Sequence, residues 1–206
     1  MAGTVGHTLG KRERLVGAAR ALLHRQGYAR MTLADVAAEA GVPLGNVYYY
    51  YKTKEELVLA ALADQARDAQ AQLASFERAP DPGARLKAFA RSAIDGCERT
   101  VRYGCPYGSL AQELAKEDVP PALAAAAAST LRLYVEWAAT QFRELGADER
   151  TACDLAVDLY AARQGTSLLA NTLRAPDLLE RQAQRLEGRI DSVSVTRTPA
   201  LPEASA

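Results

Sequence analysis

Two helix-starting signals set close together constrain this chain more than any other feature. Thr32-Leu33-Ala34-Asp35 and Thr53-Lys54-Glu55-Glu56 each place an acid three positions after a threonine, so that side chain and backbone can cap one another at a helix N-terminus. Between them Gly41-Val42-Pro43 interrupts the chain. Glycine suits the residue that closes a helix, and proline suits the first turn of the next, where its missing N–H would have no partner. The spacing predicts a helix from Thr32 to about Gly41 and a short one from about Pro43 to Tyr50, joined by a tight turn. Before them, about Lys11 to Gln26 carries Leu15, Ala18, Ala19, Leu22 and Leu23 on one helical stripe, with Gly27 placed to stop it. The result is a helix-turn-helix layout in residues 1–54.

Downstream, the second capping box launches a long helix through about Arg78, roughly 35–40 Å in length and able to join two domains. Ala79-Pro80-Asp81-Pro82-Gly83 breaks it. Helices are expected at about Ala84–Val101, Pro106–Lys116, Ala122–Leu145, Asp148–Leu173 and Pro176–Ile190, with breaks at Tyr103-Gly104, Asp118–Pro121 and Gly146. β-branched alternation is almost absent, so the fold class is all-α. The expected organisation is a three-helix head (1–54), a larger helical domain (55–190) and a disordered Ser/Thr/Pro/Ala-rich tail (191–206).

The head is basic. Residues 1–54 hold eight Lys/Arg against three acids, a net +5, which leaves −5 on 55–206 because the whole chain sums to zero. A basic head on an acidic body suits a polyanionic partner met by the head alone. The third helix shows which face is available. At about 100° per residue, Val47, Tyr50 and Tyr51 share the side that packs on helices one and two, while Gly45, Asn46, Tyr48 and Tyr49 point away and Leu44 lies on the border. Four consecutive tyrosines cannot all face one core. Two exposed tyrosines, an amide and a glycine suit a DNA groove. Tyrosine hydroxyls donate to phosphates, Asn46 can bond a base edge, and Gly45 lets backbones approach. Lys54 and the first-turn N–H groups beside it make a phosphate anchor, and Thr32 can add a hydroxyl contact.

The stretch Thr32-Leu33-Ala34-Asp35-Val36-Ala37, Ala40-Gly41-Val42 and Gly45-Asn46-Val47-Tyr48-Tyr49-Tyr50-Tyr51-Lys52-Thr53-Lys54-Glu55-Glu56-Leu57 resembles the signature of TetR-type regulators. The likeness covers about residues 10–60. It implies an Ω-shaped homodimer of mostly nine- or ten-helix subunits that binds double-stranded operator DNA and releases it when a small molecule enters the C-terminal domain. By position, Leu44 to Asn46, Tyr48, Tyr49 and Lys54 match the family's DNA-contacting places. Pro43 stands where a polar residue is common and Tyr49 where histidine is frequent, departures that bear on which operator is read.

The body carries less specific signals. Its last two long helices resemble the family's dimer-forming pair, with Ala161-Ala162-Arg163-Gln164-Gly165-Thr166-Ser167 permitting close approach and Leu168 and Leu169 extending the apolar surface. A single short recognition helix reads too few bases, which also argues for a dimer. Tyr103, Cys105, Tyr107, Trp137, Tyr160 and Gln164 are candidate effector contacts. Gly104-Cys105-Pro106 resembles the start of a pocket-side helix in a subset of the family. There a helix dipole favours thiolate and makes an electrophile or oxidant sensor the alternative to a small-molecule pocket. Against this, Cys105 reads first as a small buried apolar residue, as do Cys97 and Cys153, and Trp137 as core. A ligand that biases the tilt of the long helix would oppose DNA by linkage, typically ~1–3 kcal/mol.

Other classes find no support. There is no Gly-rich phosphate loop after a strand, no nucleophile elbow and no metal-spaced cluster, so neither an enzyme nor a cofactor is expected. A helical protein-binding scaffold with an incidental basic head is the remaining rival. With no CxxC pair, no apolar N-terminal run, and a longest apolar run (Val119–Ala128) too short and alanine-rich to span a bilayer, the chain is expected to be cytoplasmic with reduced thiols and no membrane partner.

Overall fold

The structure is a computed structural model that describes residues 10–195. Every regular element among them is helical: α1 (Lys11–Arg30), α2 (Leu33–Ala40), α3 (Leu44–Tyr50), α4 (Lys54–Phe76), α5 (Pro82–Asp95), α6 (Cys97–Tyr103), α7 (Gly108–Leu114), α8 (Pro121–Glu144), α9 (Glu149–Leu173) and α10 (Asp177–Val195). None is long and apolar enough to cross a membrane. Helix α10 ends five residues past its expected limit, and the remainder of the expected tail, 196–206, lies outside the described residues.

The chain folds into two compact units: the described part of Met1–Ala69 together with Cys105–Leu131, and Gln70–Gly104 together with the described part of Arg132–Ala206. Helices α4 and α8 each belong partly to one and partly to the other. In the first unit the expected stripe of α1 (Leu15, Ala18, Ala19, Leu22, Leu23) is buried, and it shares one core with Val36, Val47, Leu57 and Leu62. That core is completed from far along the sequence by Leu110 and Leu114 of α7 and Leu123 and Ala127 of α8. Fully burying a leucine is worth roughly 1.5–3 kcal/mol, so these distant residues are as much part of the head as its own helices. Arg20 of α1 ties α4 to it through Asp64 (2.5 Å) and Asp68 (2.6 Å).

The second unit is built on an aromatic block. Phe89 packs against Phe76, Tyr134, Trp137 and Tyr160 with ring centroids 5.7–6.3 Å apart, and Arg163 lays its guanidinium 4.4 Å over the same ring. Beside it, buried Gln141 donates to Glu77 (3.2 Å) and accepts from Arg85 (3.2 Å), so its amide is satisfied on both sides. The helix expected as one piece over 84–101 is two, α5 and α6, parted at Gly96. Asn171 and Arg174 near the end of α9 donate to the carbonyls of Val101 and Arg102, capping α6 where it stops.

Candidate nucleic-acid interface

Helix α2 starts as its sequence dictates. The Asp35 N–H donates to the Thr32 hydroxyl (3.1 Å), while the Thr32 N–H (3.0 Å) and hydroxyl (2.8 Å) donate to the Asp35 carboxylate. These bonds, the hydroxyl's first, hold the Asp35 carboxyl below its ordinary value. The helix closes at Gly41, which adopts the left-handed conformation (φ 62°, ψ 41°) that glycine takes without a Cβ penalty. The Val42 N–H returns to the Ala37 carbonyl (3.0 Å), and its side chain is buried.

This turn presents α3. Val47 is completely buried and Tyr51 nearly so, whereas Tyr49 is 75% exposed, Tyr48 48% and Leu44 41%. Gly45 is exposed and Asn46 half-buried. A Cβ on Gly45 would meet nothing within 4 Å, so no neighbour inside the chain demands a glycine there. Tyr50 departs from expectation. Helical periodicity puts it on the core side, yet it is 37% exposed and stands edge-on to Tyr49 at 5.0 Å. Helix α3 ends at Tyr50 and Tyr51 turns extended (φ −138°), so the helical wheel no longer holds there and Tyr51 alone takes the core place. The Lys52 ammonium donates to the Tyr48 carbonyl (2.8 Å) and its N–H to Glu56 (2.7 Å), closing α3 onto α4.

Lys54 opens α4, half-buried, with Nζ 4.0 Å over the ring of Tyr28. Burial pulls its pKa down against the upward pull of Glu55, Glu113 and Glu117. The Tyr28 hydroxyl in turn donates to Glu55 (3.2 Å). Among the basic residues of the head, Arg20 forms ion pairs with Asp64 and Asp68, and Arg25 with Glu39. Glu39 is already counted in the sum over 1–54, so of these acids only Asp64 and Asp68 of α4 lower the positive excess below it.

The effector candidates fall into two groups. Cys105 and Tyr107 belong to the first unit, just before α7 and half-buried, and Cys105 Sγ accepts the Gly108 N–H at 3.4 Å. In the second unit Trp137 and Tyr160 flank Phe89. Trp137 donates its indole N–H to Glu77 (2.6 Å) and lines a shallow groove of about 320 Å³ with Gln70, Leu73, Leu133, Glu136 and Thr140. Gln164 lies one turn beyond Tyr160, half-buried, and Tyr103 ends α6 under the Arg102 guanidinium (5.2 Å). A second cavity, about 130 Å³, is lined by Phe142, Leu155, Leu159, Leu186, Ile190 and Val193 among others and contains none of the candidates. Among the described residues no group of three or more His, Cys, Asp or Glu could hold a metal ion.

Sequence reasoning missed Glu113. Its carboxylate accepts the Tyr28 and Ala29 N–H groups, both at 2.9 Å, from α7, with no local motif to mark it.

Comparison with known proteins agrees with this architecture. The profile of the bacterial regulatory proteins of the tetR family matches residues 15–61, and that of the C-terminal domain of LmrA/YxaF-like transcriptional regulators matches residues 82–185. The HTH-type transcriptional regulator LmrA of Bacillus subtilis (strain 168) is 29% identical over 82% of this chain and 97% of its own length. A TetR transcriptional regulator from Legionella pneumophila superposes with a TM-score of 0.78 at 19% identity, covering 89% of this chain and 98% of that one. The regulatory protein TetR from Rhodobacter sphaeroides gives 0.76 at 26% identity, covering 86% and 97%. These relatives are transcriptional regulators.

Proposed function

Because the chain belongs to the TetR family of bacterial helix-turn-helix transcriptional regulators, we propose that it is a dimeric repressor that reads a palindromic operator through α3 and is released by a small molecule. The observation that carries this reading is the split of α3, with Val47 and Tyr51 locked in the core while Leu44, Gly45, Tyr48 and Tyr49 stand open on one side. Leu44 and the tyrosine rings meet thymine methyls and sugars, the tyrosine hydroxyls donate to phosphates, and Asn46 bonds a base edge. Gly45 lets the groove wall approach, since nothing in the chain fills the space its Cβ would take. Thr32 adds a hydroxyl contact at the start of α2. Lys54 and the N–H groups of α4's first turn anchor a phosphate.

Dimerisation uses the face of α9 on which Val157, Leu168, Leu169 and Leu173 are each more than half exposed, with Ala161 and Gly165 also exposed along the helix. Apolar side chains so concentrated on one helix suit burial against a second copy. Within the second unit the effector contacts are Tyr103, Trp137, Tyr160 and Gln164, of which Trp137 and Tyr160 beside Phe89 give an aromatic wall suited to an apolar or planar compound; Cys105 and Tyr107 are separate candidates of the first unit.

The test is selection of bound sequences from a random duplex pool, repeated with Tyr49→Ala and Asn46→Ala. Two half-sites about one helical turn apart or slightly more, weakened in both variants, are expected. Recovery of no common sequence, or the same sequence with equal strength from wild type and variants, would overturn α3 as the reading element.

A further inference from the structure

Helix α1 does not end as a simple helix. At Gly27 the backbone leaves the helical region (φ 80°, ψ 174°) and then resumes for one turn. The next two N–H groups, of Tyr28 and Ala29, converge on the carboxylate of Glu113, each at 2.9 Å and each on its own oxygen. A Cβ at Gly27 would stand 2.6 Å and 2.8 Å from the two oxygens, so the glycine both makes the bend and leaves room for the carboxylate. A carboxylate accepting two backbone N–H groups is a charge-assisted pair of bonds, stronger than neutral ones.

What the pair fixes is Tyr28. Tyr28 is 8% exposed, carries the Lys54 ammonium over its ring at 4.0 Å and directs its hydroxyl to Glu55, the next residue of α4. The first turn of α4 thus rests on one tyrosine, and that tyrosine's backbone is held from α7. All of these groups lie within the first unit.

We propose that Glu113 is a positioning residue for DNA binding: by holding the broken turn at Gly27 it seats Tyr28, and through Tyr28 it sets the place from which Lys54 engages a phosphate. The inference rests on the reading of Lys54 as a phosphate anchor. It has a sign that simple electrostatics would not give. Removing a negative charge from a DNA-binding unit should tighten binding, whereas loss of this particular carboxylate weakens it.

The experiment measures binding of the full-length protein to a random-sequence duplex across a range of salt concentrations. Phosphate contacts are sequence-independent, so no operator is needed. Each lost phosphate contact lowers the slope of log K against log salt by ~0.9, hence ~1.8 for a dimer and up to about 60-fold in affinity at 0.1 M salt. Lys54→Ala, Glu113→Ala and the double variant should show the same reduced slope, because all three lose the same contact. Glu113→Gln keeps one acceptor oxygen and should fall between wild type and Glu113→Ala. Glu117→Gln removes an equal charge near Lys54 without touching the bonded turn, and should bind as tightly as wild type or tighter. Circular dichroism at the assay temperature checks that each variant is folded. If Lys54→Ala lowers the slope but Glu113→Ala leaves it unchanged or tightens binding, the positioning role is wrong and the anchor stands. An unchanged slope in Lys54→Ala overturns both.

Discussion

Replacing Gly27 by alanine should be far more damaging than its place near the end of a surface helix suggests. Two costs add. The backbone at φ 80°, ψ 174° lies in a region that is essentially glycine's alone, and holding another residue there costs about 1–3 kcal/mol. The new Cβ would also stand 2.6 Å from Glu113 Oε2, so the carboxylate must withdraw and its two bonds to Tyr28 and Ala29 are lost. Bonds to charged groups contribute about 1.5–3 kcal/mol each. Glu113 is half-buried, so about 1 kcal/mol apiece is the fitting share. The total is about 3–5 kcal/mol, a fall in Tm of about 6–20 °C for a chain of this size. Urea unfolding followed by circular dichroism at fixed protomer concentration measures it. In a Glu113→Ala background the same substitution should cost only the backbone share, about 1–3 kcal/mol, because the bonds are already gone. A loss below about 1 kcal/mol in the wild-type background, or strict additivity of the two substitutions, would refute the reasoning.

Leu168→Glu places a charge in the apolar face of α9, where Leu168 is 64% exposed. Sedimentation velocity should show a folded monomer, and an undisturbed dimer would move the interface elsewhere. Thr130 is 2% exposed on α8, and its hydroxyl makes no hydrogen bond. Thr130→Val therefore removes an unsatisfied buried group at nearly constant shape, and thermal melting should show a gain of about 1 kcal/mol; a loss would show that the hydroxyl is in fact bonded. The Asp35 carboxyl is held below its ordinary value near 3.8 by the Thr32 hydroxyl and N–H. A depressed folded pKa contributes stability above the unfolded value that disappears as pH falls through the lower folded one. Asp35→Asn should flatten the stability profile below about pH 4, and an unchanged acid limb would argue against the cap's contribution.

The parts of this molecule that were legible in the sequence are those whose causes are local. The Thr32–Asp35 box, the Gly41 closure and the buried stripe of α1 each depend on residues within a turn or two. The exposed pair Tyr48 and Tyr49 followed from helical geometry alone, and the rule failed for Tyr50 where the helix itself stops. The capping of α6 was hidden because it comes from α9, where Asn171 reaches back to the Val101 carbonyl. Glu113 was hidden for the same reason, bonding an amide 85 positions away. Effector contacts are the least legible. Trp137 and Tyr160 pack on Phe89 as core aromatics do, and an aromatic wall that awaits a ligand has the same residue types as one that is merely filled.

The first unit draws on both ends of a long stretch of chain, and this bears on how the protein is made. Its core is closed by Leu110, Leu114, Leu123 and Ala127, none of which exists when the ribosome has finished the helix-turn-helix. At synthesis rates of ~5–20 residues per second, the interval between Leu62 and Leu131 is about 3–14 seconds. Throughout it the nascent head exposes the leucines of α1 that α7 and α8 will cover. Synthesis thus imposes a delay on DNA competence: the head matures only after residues 70–131 have emerged, so a truncated product ending soon after α4 would be an incomplete fold rather than an unregulated repressor.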